Sequence, residues 1–275
     1  MRITLVLSIL IFIPNFAQPQ SFLHQVSASS ASTGYADIAS VYSKSISGNP
    51  AIISNFKEAS LLSGFAYRFN HPSFSTMSAG VVMPVASPIR VSLLAARFGD
   101  RAFHEQAVSL SVCHQVGETY LGLSLNVMEE GGEQLLTERS ATIDIGVALP
   151  LLSSLRLGAM VKNILRTAYR YEENSIPTYI QTGIAYEPLS DKLELQLVIS
   201  KEVAGEKALH AGVFYKPIPE ISLQTGVRTY PLSQHFGIGC KLNKVSVHYV
   251  IERSQYLPVN HLLGMYVQLS KKAAI

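Results

Sequence analysis

Tryptophan is absent from the 275 residues, cysteine occurs only twice, and charged side chains make up just 15%. Each shortage excludes something. A charged fraction well under about a quarter is too low for an ordinary soluble surface and points to lipid. Two cysteines cannot build a disulfide framework or a zinc-thiolate cluster. The chain has no phosphate-cradling glycine loop, no G-x-S-x-G elbow, no H-E-x-x-H and no paired-cysteine motif, and its eight histidines are scattered without metal-ligand spacing. We therefore expect no enzyme, no metal and no cofactor. The formal net charge is +3 and no Lys/Arg run tracks phosphates, which argues against nucleic acid as a partner. Beyond the N-terminus no apolar run approaches the roughly 18 residues a membrane helix needs.

What is present is apolar and strictly patterned. Hydrophobic residues reach 48%, with a mean hydropathy of +0.23. Met1-Arg2 precedes an apolar run from Ile3 to Ile13, and Pro14 followed by Ala17-Gln18 offers a cut after Ala17. Residues 1–17 read as a signal peptide, so export is expected.

From residue 59 onward the chain alternates with period two. Leu193, Leu195, Leu197 and Ile199 alternate with Glu194, Gln196 and Ser200; Leu121, Leu123, Leu125 and Val127 alternate with Gly122, Ser124 and Asn126. Successive strand side chains point to opposite faces, so one face is apolar and the other small or polar. Marking such segments gives about fourteen strands, most of them about nine to twelve residues long, the length that crosses a bilayer obliquely. Links after even-numbered strands are short. Three links after odd-numbered strands, 129–139, 166–177 and 254–260, read as long loops. That parity is expected of an antiparallel membrane barrel, whose closure leaves no backbone group unpaired in hydrocarbon. The fold expected is all-β: a transmembrane antiparallel barrel of about fourteen strands over 59–272, preceded by an N-terminal plug segment over 18–58. The alternative is a secreted β-sandwich with the apolar face turned inward.

Individual residues follow from that frame. Tyr and Phe near strand ends, among them Phe65, Phe98, Tyr120, Tyr186, Phe214, Tyr215, Phe236, Tyr249 and Tyr266, are candidates for interfacial girdles. Cys113 and Cys240 fall on opposite faces, so two free thiols are expected. Arg156, Lys162, Glu194, Gln196, Arg228 and Lys241 are the candidate lumen-lining residues, with Asp144 and Gln224 beside them. They should pair internally, and a cation among them could receive an anionic headgroup. His248, Ser246 and Glu252 share a face as a hydrolase set might, but polar lumen faces produce such sets routinely. Asn49-Pro50-Ala51 is a rigid corner: Asn49 can cap a short helix and Pro50 fits its first position.

Asn49-Pro50-Ala51 lies about ten residues before the first strand. It is followed by Val161-Lys162-Asn163, by Pro177 to Tyr186 (PTYIQTGIAY), and by the Gly-centred hairpin Gly212-Val213-Phe214-Tyr215 to Gly226-Val227-Arg228. In this order the motifs resemble the FadL-type outer-membrane transporters of hydrophobic compounds, and more closely their PorV/PorQ-like branch of Bacteroidetes-type bacteria. The resemblance implies a cell outer-membrane protein in contact with lipid, with the N-terminal segment folded into the lumen as a hatch anchored by Asn49, Pro50 and Ala51. It implies passage or binding of a small hydrophobic molecule. The alternative is docking of a secreted protein in type IX secretion.

Overall fold

Alternation decides which way the wall faces. In the computed structural model, which describes residues 26–169, 176–189, 191–255 and 257–269, Leu121, Leu123, Leu125 and Val127 are 46–50% exposed on the outside. Gly122, Ser124, Asn126 and Met128 between them are buried. The apolar face is therefore the outer one and the polar face the inner one, the reverse of a soluble sandwich. An apolar exterior of this extent is stable only against lipid.

The strands are β1 (Ser60–Tyr67), β2 (Thr76–Ala86), β3 (Ile89–Gly99), β4 (His104–Val116), β5 (Thr119–Gly132), β6 (Leu135–Leu152), β7 (Leu155–Lys162), β8 (Tyr179–Leu189), β9 (Leu193–Glu202), β10 (Lys207–Ile218), β11 (Ile221–Thr229), β12 (Leu232–Leu242), β13 (Val245–Ser254) and β14 (Asn260–Gln268). Each pairs with its sequence neighbours, and β14 returns to β1 to close a fourteen-stranded antiparallel barrel. The seam is set by cross-strand pairs such as Ser63 with Met265 and Gly64 with Gly264. Every expected strand is found.

Three expectations are corrected. The stretch 129–139 is not a loop: β5 runs on to Gly132 and β6 starts at Leu135, with Glu129 opposite Arg139 and Glu130 opposite Glu138. The polar and charged residues of EEGGEQLLTER sit on a hairpin that extends beyond the apolar band, where both faces can be wet. Second, the alternation predicts a strand over 155–165, but β7 ends at Lys162, because Asn163 adopts a positive φ of 50° that breaks the strand. Third, Phe98, Tyr120, Phe214 and Tyr266 are not girdle residues but point inward: Phe98 and Tyr266 are buried, and Phe214 stacks on Tyr42 at 4.7 Å between ring centroids. Tyr120 carries Arg156 over its ring. They share strand parity with inward glycines and serines, which settles their direction. Phe65, Tyr186, Tyr215, Phe236 and Tyr249 do face outward.

The two thiols are free and on opposite faces, Cys113 buried and Cys240 exposed. The signal segment 1–17, the first residues of the 18–58 segment and the loop 170–175 lie outside the described residues.

Candidate functional site

Residues 26–58 pack against the inner face of the wall. A single helical turn, α1 (Ala28–Ala31), is capped by Ser27 and lies against β1, β13 and β14. A 3-10 turn, Pro50–Asn55, lies against β3 to β6. Asn49 caps it, its Oδ1 accepting from Ala51 N–H at 3.0 Å, with Pro50 at the first position. The Asn49 side-chain amide also donates to Ile38 O at 2.8 Å and to Val147 O of the wall at 3.0 Å. The corner thus joins two parts of the segment to β6.

Glycines in the wall let the two backbones approach. Gly122 on β5 and Gly146 on β6 are cross-strand partners, as are Gly212 on β10 and Gly226 on β11. A Cβ on Gly122 would overlap the Pro50–Ala51 peptide, and one on Gly226 would overlap Thr33–Gly34. A side chain at Gly122 or Gly226 would displace the segment.

The lumen-lining candidates mostly serve this contact. Arg156 Nη1 reaches Asn55 Oδ1 at 3.5 Å, and Lys162 Nζ donates to Ser47 O at 3.0 Å. Glu194, fully buried, accepts from Ser40 Oγ, from Val41 N–H at 3.0 Å and from Gln196 Nε2. The Arg228 guanidinium lies over the Tyr35 ring and 3.6 Å from Glu252. Lys241 does not join them, because it stands exposed at the rim. The expected web of internal ion pairs is thereby corrected for these candidates: Arg228 pairs with Glu252, and at Arg156, Lys162 and Glu194 hydrogen bonds to the segment take the place of ion pairs. No hydrogen bond joins His248, Ser246 and Glu252 among the described residues; Glu252 is committed to Arg228.

Sequence reasoning missed several inward partners. His210 donates from Nδ1 to Gly34 O at 2.7 Å, since a carbonyl can only accept, and its Nε2 faces Ser200 Oγ at 2.8 Å. Asp37 accepts from Ser30 and Ser43 within the segment. Lys44 donates to Asn55 O at 3.3 Å and sits over the rings of Phe56 and Tyr266. Burial first, and then the positive Lys241 and Lys57, lower its pKa to about 8. Strand parity identifies His210; the others lie on the segment, where no period marks them.

Three cavities surround one short stretch of this segment. The first lies beneath β14, β1 and β2, with about 450 Å³ of space including its mouth. The second, about 1020 Å³ including open solvent, reaches the end that carries the longer links, at Pro177, Glu202, Glu206 and Tyr230. The third, about 450 Å³, lies between them against β3 to β6. Ile46 and Ser47 line both the first and the third, and Gly48 lines both the second and the third. Ile46–Gly48 is therefore the partition between them.

No protein-family model matches the chain, and no curated protein matches it. Solved structures do. The toluene transporter TodX of Pseudomonas putida superposes with a TM-score of 0.68 at 10% identity, over 88% of this chain and 98% of that one. The CymD monoaromatic hydrocarbon channel gives 0.66 at 12% identity, over 89% and 97%. A FadL homologue of Pseudomonas aeruginosa gives 0.59 at 10%, over 88% and 97%. This chain shares the barrel fold of these proteins.

Proposed function

We propose that the chain is an outer-membrane channel for small hydrophobic molecules, with the N-terminal segment, 18–58 by the sequence reading, as its plug and gate and with no catalytic role. The observation that carries this is the partition at Ile46–Gly48: three cavities surround it, and Gly48 is a position where the backbone can move with little side-chain cost. A molecule entering at the wide-loop end meets a polar vestibule containing Lys162, Asp37 and Arg228. Further in lies a largely apolar space lined by Ile46, Leu62 and Leu94. The apolar outer wall and the likeness to channels described for toluene and monoaromatic hydrocarbons support the same reading of membrane and substrate class. Placement in the PorV/PorQ-like branch rests on the motif order alone.

Type IX docking gains no such support. The groove it requires combined loops 129–139 and 166–177, and the first of these is a tight hairpin.

The reading is tested by uptake of radiolabelled toluene in cells that express the full chain in an otherwise channel-poor outer membrane. Uptake should exceed that of cells carrying an empty vector, and a bulky Gly48→Phe variant should lower it while the barrel still runs as a heat-modifiable band. Equal uptake with and without the protein would overturn the proposal.

A further inference from the structure

Most charges in the lumen are compensated. Lys162 has Asp144 and Asp37 acting on it, Arg228 has Glu252, and Glu194 is held by donors from Ser40 and Val41. Lys44 stands apart. Among the described residues no carboxylate lies within ion-pair distance of it, and the charges that act on it are two further cations, Lys241 and Lys57. Its one hydrogen-bond acceptor there is the carbonyl of Asn55, at 3.3 Å. A largely buried ammonium with one hydrogen bond, two aromatic rings and no counter-charge is costly, and the cost falls when an anion arrives.

The surroundings of Lys44 supply the rest of a site. It lines the first cavity together with His248 and Tyr266. The Nδ1 of His248 is buried without a partner. The Tyr266 hydroxyl lies 3.2 Å from Ser60 Oγ, and because Ser60 gives its one proton to Glu58 O at 2.9 Å, Tyr266 donates to Ser60 and faces Lys44 through its ring. Everything else of size on the wall is apolar, with Ile46, Leu62 and Leu94 prominent. The 450 Å³ includes open space at the mouth, so the enclosed part is much smaller and an extended chain does not fit it.

We propose that this cavity binds a one-ring aromatic carboxylate of the benzoate class, its carboxylate on Lys44 beside Tyr266 and His248 and its ring against Ile46, Leu62 and Leu94. The inference rests on the channel reading and narrows it: the substrate carries a single negative charge in addition to its apolar body. Of the three cavities described, it is the one whose cation has only other cations acting on it.

The test is isothermal titration of the full chain in lipid nanodiscs with benzoate, with neutral benzamide and with toluene. Benzoate should bind at one site at least about tenfold more tightly than benzamide, since a hydrogen bond to a charged group is worth that much. Lys44→Met should remove the preference, and Lys44→Arg should keep part of it. Heat-modifiable migration checks that each variant is folded. Toluene binding without any preference for benzoate, or a preference that survives Lys44→Met, would overturn this inference alone. Failure of the wild-type protein to bind any of the three would overturn it together with the channel reading.

Discussion

The two faces of the wall are built on opposite rules. On the outer face, large apolar residues such as Leu123, Leu125 and Val127 stand about half exposed with no protein partner, so what matters there is hydrophobicity and little else. On the inner face the residues at the same height are Gly122, Ser124 and Asn126, each matched to a neighbour: Gly122 to the Pro50–Ala51 peptide, Ser124 to Ser111, Asn126 to Thr142 and Asp144. The outer face is specified by solvent and the inner face by shape and by hydrogen-bond geometry. Adjacent positions should therefore respond quite differently to substitution.

The largest expected effect is on the outer face. Leu125→Arg should cost about 2–4 kcal/mol, the penalty for a cation in the lipid-facing band of a barrel, measured by urea unfolding in lipid vesicles. Leu125→Ile should be nearly silent. A loss as large with isoleucine would mean that the outer face is packed and not solvated by lipid. On the inner face Glu194→Ala should come next. It strands the Ser40 hydroxyl and the Val41 N–H, at about 1–3 kcal/mol for each buried group left unpaired. The loss should be read as faster proteolysis of residues 26–58, with the barrel band unchanged. Asn49→Ala should follow at about 1–2 kcal/mol, by removing a helical cap together with the link to Val147.

A further effect concerns pH. Lys44 holds its proton less firmly in the docked segment, near 8, than at its ordinary value of 10.5. Between these values the released segment binds more protons than the docked one, so docking should strengthen as pH rises from about 8 to 10.5; below about 8 the group opposes docking by a constant amount, and above about 10.5 that penalty is gone. Protease protection of the segment across that range should rise in the wild-type protein and stay flat in Lys44→Met. A protection that falls across the window would reverse the sign of the account.

Much of the wall was legible beforehand, because period two is a one-dimensional signal. Leu121 to Val127 and Leu193 to Ile199 announce both the strands and their faces, and Asn49-Pro50 announces the cap. The direction of the four inward aromatics is equally readable, since Tyr120 shares parity with Gly122 and Phe214 with Gly212, and that parity outweighs their place near a strand end. The EEGGEQLLTER hairpin was misread because residues beyond the lipid band lose the apolar half of the alternation while keeping their backbone pairing. The site itself was legible only in its wall residues. That Glu194 holds Ser40, or that Lys44 lacks a counter-charge, depends on how an aperiodic segment is laid across strands that are distant in sequence.

The central claim is that Ile46–Gly48 must move for a substrate to pass. Asn49 Cγ lies 3.0 Å from where a Cβ on Gly146 would stand, close enough for a disulfide in an Asn49→Cys, Gly146→Cys variant whose two natural cysteines are replaced by alanine. Uptake of radiolabelled toluene by cells carrying this variant should fall to the empty-vector level when the bond is oxidised and return on reduction. Uptake that is the same in both states would show that passage does not require the segment to move, and would contradict the account.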